Sequence, residues 1–255
     1  MSKLAKLLSG ATIAALAAFG ATGASAFTFE GANVTLAYNG HDDGNDESYS
    51  DNNTLQLSGR AWYGFGSNFK LGFSAGTARE QYEGSFYSST KSIGLHPAYA
   101  FDNGQLGAFV SYQKENGSDE DYIYAGLEGV YNIGKFGVEG YLGKSFAQGD
   151  FFEDFTVGGL ALSYEIIDAL SVYVKHQSDY YDSDNEFTLS SIGIEYDLNA
   201  PSLTPMTLFA EYSEFGDEDG FDDWGQMTLG VTFYLGEKAE RSLFHEQYSL
   251  ESYYD

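Results

Sequence analysis

The 255-residue chain has no cysteine, only three prolines, and 12 basic residues against 38 acidic ones. Without cysteine it can form no disulfide framework and no thiolate metal site, and it has no thiol nucleophile. A net charge of −26 opposes binding to nucleic-acid backbones, which demands a basic face. Beyond the first 26 residues no run of 18 apolar residues occurs, so a membrane-crossing helix is excluded. A membrane β-barrel survives that exclusion, because its alternating strands average to mild polarity, and the mean hydropathy here is −0.29. Wholesale disorder does not fit a chain that is 17% aromatic and 43% apolar.

Residues 1–26 differ from everything after them. Lys3 and Lys6 precede a short apolar stretch from Ala11 to Phe19, and Ala24-Ser25-Ala26 supplies small residues around a cleavage point before Phe27. This is the pattern of a cleaved secretory signal peptide, and it implies export. The expected organisation is therefore a signal peptide (1–26), a β-barrel (27–236) and a charged, aromatic C-terminal tail (237–255).

From Phe27 onward about ten residues at a time alternate apolar with polar or small side chains, the period of a strand with two unlike faces. Twelve such runs are expected, at 28–38, 54–65, 69–78, 91–101, 105–114, 122–132, 135–145, 155–166, 169–177, 187–197, 205–214 and 226–235. Each has the length of a tilted strand crossing a bilayer. In the fourth, Ile93, Leu95, Pro97, Tyr99 and Phe101 oppose Ser92, Gly94, His96, Ala98 and Ala100. The second face is rich in Gly, Ser, Thr and Tyr, where a soluble sandwich would carry Lys, Glu and Arg. That composition suits a crowded, wet barrel interior. The tenth run changes phase near Leu189-Ser190-Ser191, which predicts a bulge.

The connections alternate in length. Gly66-Ser67-Asn68, Asp102-Asn103-Gly104 and Asn132-Ile133-Gly134 are short and turn-forming. Those at 39–53, 79–90, 114–121, 146–154, 178–186 and 215–225 are long and hold most of the acidic residues. Short turns at one end and long loops at the other are the asymmetry of an outer-membrane barrel, and an even strand count returns both termini to one side. Tyr63, Phe65, Phe69, Tyr99, Phe101, Tyr131, Phe136, Tyr196, Phe233 and Tyr234 gather at the short-turn ends, as an interfacial girdle would.

These features resemble those of Gram-negative outer-membrane porins. The signal peptide ending Ala24-Ser25-Ala26, the twelve alternating runs and the final-strand pattern Thr228-x-Gly230-x-x-Phe233-x-Leu235 carry the likeness. Phe27-Thr28-Phe29-Glu30-Gly31 and Tyr63-Gly64-Phe65-Gly66 look similar to small alphaproteobacterial porins. The resemblance implies an all-β, transmembrane, antiparallel up-and-down barrel in the outer membrane. It implies insertion by the barrel-assembly machinery, contact with lipid and lipopolysaccharide, and passage of small hydrophilic solutes and ions. The 19 residues after Gly236 depart from such barrels, which end on the last strand; a periplasmic tail is expected, with a plug or an extra strand as alternatives. Small residues at Gly59-Arg60-Ala61 hint at a homo-oligomer.

The inward parity places Arg60, Lys70, His96, Glu128, Glu139, Glu165, Lys175, Glu195 and Glu211 in the lumen, where opposed charges select solutes by charge and size. With the acidic loops they predict a cation-biased diffusion channel. The alternative is an occluded barrel whose acidic loops bind surface partners. Asp42, Asp43, Asp46, Asp217 and Asp219 offer hard oxygen ligands, but no calcium-loop spacing accompanies them, and a solvated acidic mouth is the expected reading. No catalytic site and no cofactor are expected. The mature chain lacks nucleotide-binding and zinc-hydrolase motifs. His176, of outward parity near the long-loop rim, has Ser145 or Ser163 as its only candidate nucleophiles.

Overall fold

The computed structural model describes residues 27–42, 53–82, 85–116, 121–147, 154–181, 186–199, 204–217, 224–236 and 242–244. The signal-peptide segment, and Asp43, Asp46 and Asp219 among the acidic candidates, lie outside them. Asp42 and Asp217 are described only as strand ends.

The twelve expected runs are twelve strands: β1 (Thr28–Asp42), β2 (Asn53–Phe65), β3 (Phe69–Tyr82), β4 (Ser85–Phe101), β5 (Gly104–Asn116), β6 (Asp121–Ile133), β7 (Phe136–Ala147), β8 (Phe155–Ile167), β9 (Leu170–Tyr181), β10 (Glu186–Leu198), β11 (Met206–Asp217) and β12 (Trp224–Gly236). Each is antiparallel to its chain neighbours, and β1 pairs with both β2 and β12, which closes the barrel. Closure leaves no unpaired strand edge.

The strands run further into the long-loop end than alternation alone indicates. β3 and β4 extend to Tyr82 and from Ser85, so the expected loop at 79–90 is mostly hairpin. Polar side chains there are held by pairing instead of by an apolar face: Ser88 donates to Glu80 at 2.8 Å. Likewise Tyr112 donates to Asp121 at 2.7 Å, and Lys114 pairs with the same carboxylate.

The short-turn end is tightly knit. Gly66 and Gly134 adopt φ of 63° and 62°, which a side chain would strain. Each turn is tied to the next hairpin: Ala100 N–H to Asn68 O, Asn132 N–H to Asn103 O, Glu165 N–H to Lys135 O, and Asp197 N–H to Ala169 O.

Register departs from regularity at Phe29/Gly31, Arg79/Gln81 and Glu165/Ile167. The bulge expected in β10 is absent. Its register with β9 and β11 is continuous through Leu189, Ser190 and Ser191. The change of phase is instead a change of environment: Leu189 is an apolar residue inside the barrel, and Ser190 is a polar one outside.

The outer surface is apolar over its middle, with Leu57, Leu127, Leu142, Leu160, Ile192, Leu208 and Leu229 all exposed. Such a continuous apolar band in water would be an association liability, and it suits a bilayer. Toward the short turns it gives way to exposed rings in pairs, Phe69–Tyr99 at 5.2 Å, Phe101–Tyr131 at 5.9 Å and Phe136–Tyr164 at 4.7 Å. Phe233 and Tyr196 join this girdle. Tyr234 does not: it faces inward, 3.2 Å from the Thr207 hydroxyl. Tyr63 is buried, edge-on to Phe29 and Phe73.

Candidate functional site: the inner wall

The inside of the barrel has two unlike sectors. Along β1, β2, β3, β4 and β12 it is polar and mostly uncharged, Arg60 and the Lys70–Glu30 pair apart: Asn33, Thr35, Gln56, Ser74, Ser92, Thr228 and Thr232 are buried there, and Thr35 and Thr232 hydroxyls lie 2.9 Å apart. From β5 to β9 it is aromatic: Phe109, Tyr122, Tyr124, Tyr141, Phe155 and Tyr173 form one packed cluster. A single sign of hydropathy inside was not to be expected from parity alone. Several inward rings fit because the strand beside them offers glycine. An added Cβ at Gly193 would lie 2.2 Å from the Tyr173 ring, at Gly72 2.7 Å from Trp62, and at Gly230 2.2 Å from Phe209.

The same glycines let charged groups meet across an intervening strand. Gly193 of β10 stands in register with Tyr173 of β9 and Glu211 of β11. The Tyr173 ring lies over it and donates its hydroxyl to Glu211 at 2.8 Å. Glu211 also accepts from Ser213 at 3.1 Å and pairs with Lys175 at 2.9 Å, both ionic side chains being only 7% exposed. Gly107 of β5 stands between Ala98 of β4 and Glu128 of β6. Across it His96 Nδ1 meets Glu128 Oε1 at 2.9 Å, while His96 Nε2 meets the Ser74 hydroxyl at 2.9 Å. The His96 ring is in turn 6.3 Å from Trp62, over which the Arg60 guanidinium sits at 5.8 Å. Such cation–π contact fixes the guanidinium while leaving its charge unneutralised.

Arg60, Glu128 and Glu139 line one cavity of about 30 Å³, room for a water molecule, and the field of Arg60 bears on both carboxylates. Glu139 is further held by Ser242 and Leu243, described below. The nine lumen candidates thus divide. Arg60, His96, Glu128 and Glu139 converge on this cavity. Lys175 and Glu211 form a buried pair on another part of the wall. Lys70 lies at the short-turn mouth, paired with Glu30 at 2.9 Å, beside a vestibule of about 710 Å³. Glu165 is there too, 3.5 Å from Lys135. Glu195, near the same end of β10, faces the lumen in register with Ser171 and Phe209. The lumen candidates, chosen for charge, leave out Trp62, Tyr173 and Tyr141, although parity places Tyr141 on the inward face beside Glu139; the inward glycines opposite them were the available signal.

Of the 237–255 tail, three residues are described, and they lie inside the barrel. Leu243 and Phe244 are buried, and Ser242 and the Leu243 N–H both engage Glu139.

The residues weighed for catalysis lie on opposite faces of the wall. Ser145 and Ser163 face the lumen, and His176 faces outward. His176 instead contacts Ser190 at 2.9 Å and Ser178 at 3.2 Å on the outer wall. Among the described residues no cluster of His and carboxylate side chains could hold a metal ion.

This closed antiparallel cylinder, apolar outside and polar or aromatic within, has the architecture of an outer-membrane barrel. No protein-family model matches the chain, and no curated protein matches its sequence. Solved structures match its fold. The KdgM porin superposes with a TM-score of 0.57 at 11% identity, covering 79% of this chain and 98% of that one. The KdgM porin in complex with disordered oligogalacturonate gives 0.54, with the same identity and coverage. An outer membrane channel from Pseudomonas putida F1 gives 0.51 at 14% identity, covering 84% of this chain and 99% of that one. At these identities the likeness is one of fold, and the alphaproteobacterial character expected from the sequence is not tested by it.

Proposed function

We propose that the protein is an outer-membrane channel for passive diffusion of small hydrophilic solutes and ions, with a preference for cations. One observation carries the reading: ionic side chains with oriented partners surround a cavity inside a sealed barrel whose exterior is apolar. A wall made only for packing would have no use for three ionic side chains, Arg60, Glu128 and Glu139, turned to one water-sized space.

The preference follows from charge placement. Inside the barrel Glu128, Glu139, Glu195 and Glu211 outnumber Arg60 and Lys175. Lys175 is neutralised by Glu211, and Lys70 at the mouth by Glu30. A net negative bore concentrates cations and repels anions, and the acidic long-loop residues add to the field at that entrance. The short turns face the periplasm in this reading, and the vestibule beside Lys70 and Glu30 is the periplasmic mouth. The oligogalacturonate named with the KdgM porin is an anionic oligosaccharide, and the acid-rich wall here argues against that class of solute for this chain.

The test is planar-bilayer recording on the purified, folded protein. Discrete ohmic steps are expected, and in a KCl gradient the reversal potential should have the sign of K⁺ preference. Glu128→Gln with Glu139→Gln should move it toward zero, and Arg60→Ala away from zero. A folded, inserted barrel that never conducts in any variant would refute the channel. It would favour the alternative of an occluded barrel that presents its loops to partners.

A further inference from the structure

Ser242-Leu243-Phe244 is seated on the inner wall by contacts with four wall residues. Glu139 of β7 receives two donors through its two oxygens, the Ser242 hydroxyl and the Leu243 N–H, the latter at 2.8 Å. Lys175 of β9 reaches the Leu243 carbonyl at 3.5 Å. Phe244 packs edge-on against Tyr141 of β7 with centroids 4.9 Å apart. Its ring also fills the notch left by Gly159 of β8, where an added Cβ would come within 2.7 Å of it. The Phe244 carbonyl, 2.8 Å from the Ser242 hydroxyl oxygen, is a second acceptor for that one proton and curls the segment on itself.

The wall matches this segment chemically. A carboxylate takes the two donors, an ammonium meets the acceptor, and a glycine recess beside a tyrosine takes the ring. Glu139 is at the same time a wall residue of the Arg60–Glu128 cavity, and Ser242 and Phe244 line that cavity. The segment therefore lies at the level where the charged groups converge. In a twelve-stranded barrel the bore is narrow, well below that of 16-stranded porins, so one inserted segment takes much of its cross-section.

We infer that Glu139, Tyr141, Gly159 and Lys175 form a binding site for the chain's own Ser242-Leu243-Phe244, and that this segment is a built-in gate. While bound, it occupies the bore and masks the Glu139 carboxylate. Its withdrawal opens the bore and returns that charge to the permeating ion. The inference rests on the channel reading, and it assigns the tail a role that the barrel alone does not need.

The experiment compares three proteins in planar bilayers: the full chain, a chain ended after Gly236, and the full chain carrying Ser242→Ala with Phe244→Ala. The last keeps the tail, so a folding defect of the shortened chain leaves the comparison intact. Both altered proteins should show at least a several-fold higher open probability or conductance than the full chain. A synthetic peptide of residues 237–255, added at micromolar concentration, should block the shortened chain. Because the protein has no cysteine, Leu243→Cys reports position directly. A water-soluble maleimide should modify it at least tenfold more slowly in the folded barrel than in the unfolded chain. Equal conductance in all three proteins, with no block by the peptide, overturns the gate and leaves the channel standing. Silence in all three overturns the channel and the gate with it. Rapid modification of Leu243→Cys overturns the binding site whatever the conductance.

Discussion

The Lys175–Glu211 pair offers the sharpest test of how this barrel is held together. Both side chains are 7% exposed and their charged atoms are 2.9 Å apart. Removing one partner from a buried pair leaves the other charge uncompensated, at a cost of about 3–5 kcal/mol. The two single changes are not equivalent. In Lys175→Met, Glu211 keeps the Tyr173 and Ser213 hydroxyls as donors, so the loss should fall near the low end, about 3 kcal/mol. In Glu211→Gln, Lys175 loses its counter-ion and keeps only neutral acceptors, the new amide oxygen and the Leu243 carbonyl at 3.5 Å, so the loss should fall near the high end, about 5 kcal/mol. Lys175→Met with Glu211→Gln removes both charges and keeps an acceptor for Tyr173; it should cost about 1 kcal/mol, a strongly non-additive cycle. Equilibrium urea unfolding in lipid vesicles, followed through the two tryptophans, measures all four proteins. Repeating the cycle in the chain ended after Gly236 separates the pair from its contact with the tail. Additive single costs, or a Lys175→Met cost below about 1 kcal/mol, would show that water reaches the pair and screens it.

Further outcomes follow from the same geometry. Leu142→Arg, in the middle of the exposed exterior, should destabilise the vesicle-inserted barrel by about 2–4 kcal/mol, and Ile133→Arg, at the short-turn rim, by about 0–1 kcal/mol, both read from the same urea titrations. Equal costs would place the apolar band elsewhere. Gly193→Val should cost about 1–3 kcal/mol through overpacking, because its side chain would occupy the place of the Tyr173 ring and pull that hydroxyl from Glu211. The cation preference should weaken between 0.1 M and 1 M KCl as the screening length falls from about 10 Å to about 3 Å. A reversal potential per unit gradient that ignores salt would mean that size and not charge selects.

What alternation revealed, and what it hid, has one physical origin. The exterior meets a single medium, so its residues follow one tendency: Leu127, Leu142 and Ile192 are apolar because a lipid-facing side chain has no polar partner in the bilayer, and the outward His176 and Ser190 partner each other. Strand number, facing and the short turns could therefore be read from period alone. The interior meets other parts of the same chain, so each residue answers to a particular neighbour. Leu189 mimics a slip of phase because it is buried within the barrel, in register with Phe215, instead of facing water. Nine charged lumen residues could be named from parity, but their partners could not. His96 reaches Glu128, and Tyr173 reaches Glu211, across a strand whose glycine lies beside them. That meeting depends on register over three strands, a quantity no single strand encodes. Gly107 and Gly193 read in sequence as small residues on a polar face, while in the barrel they are the gaps through which the wall's polar network is joined. Gly159 follows the same rule with the segment itself as the guest, since the ring over its gap includes one from beyond the last strand. The tail's place was thus written in a vacancy on the wall, and no periodicity in residues 237–255 could have disclosed it.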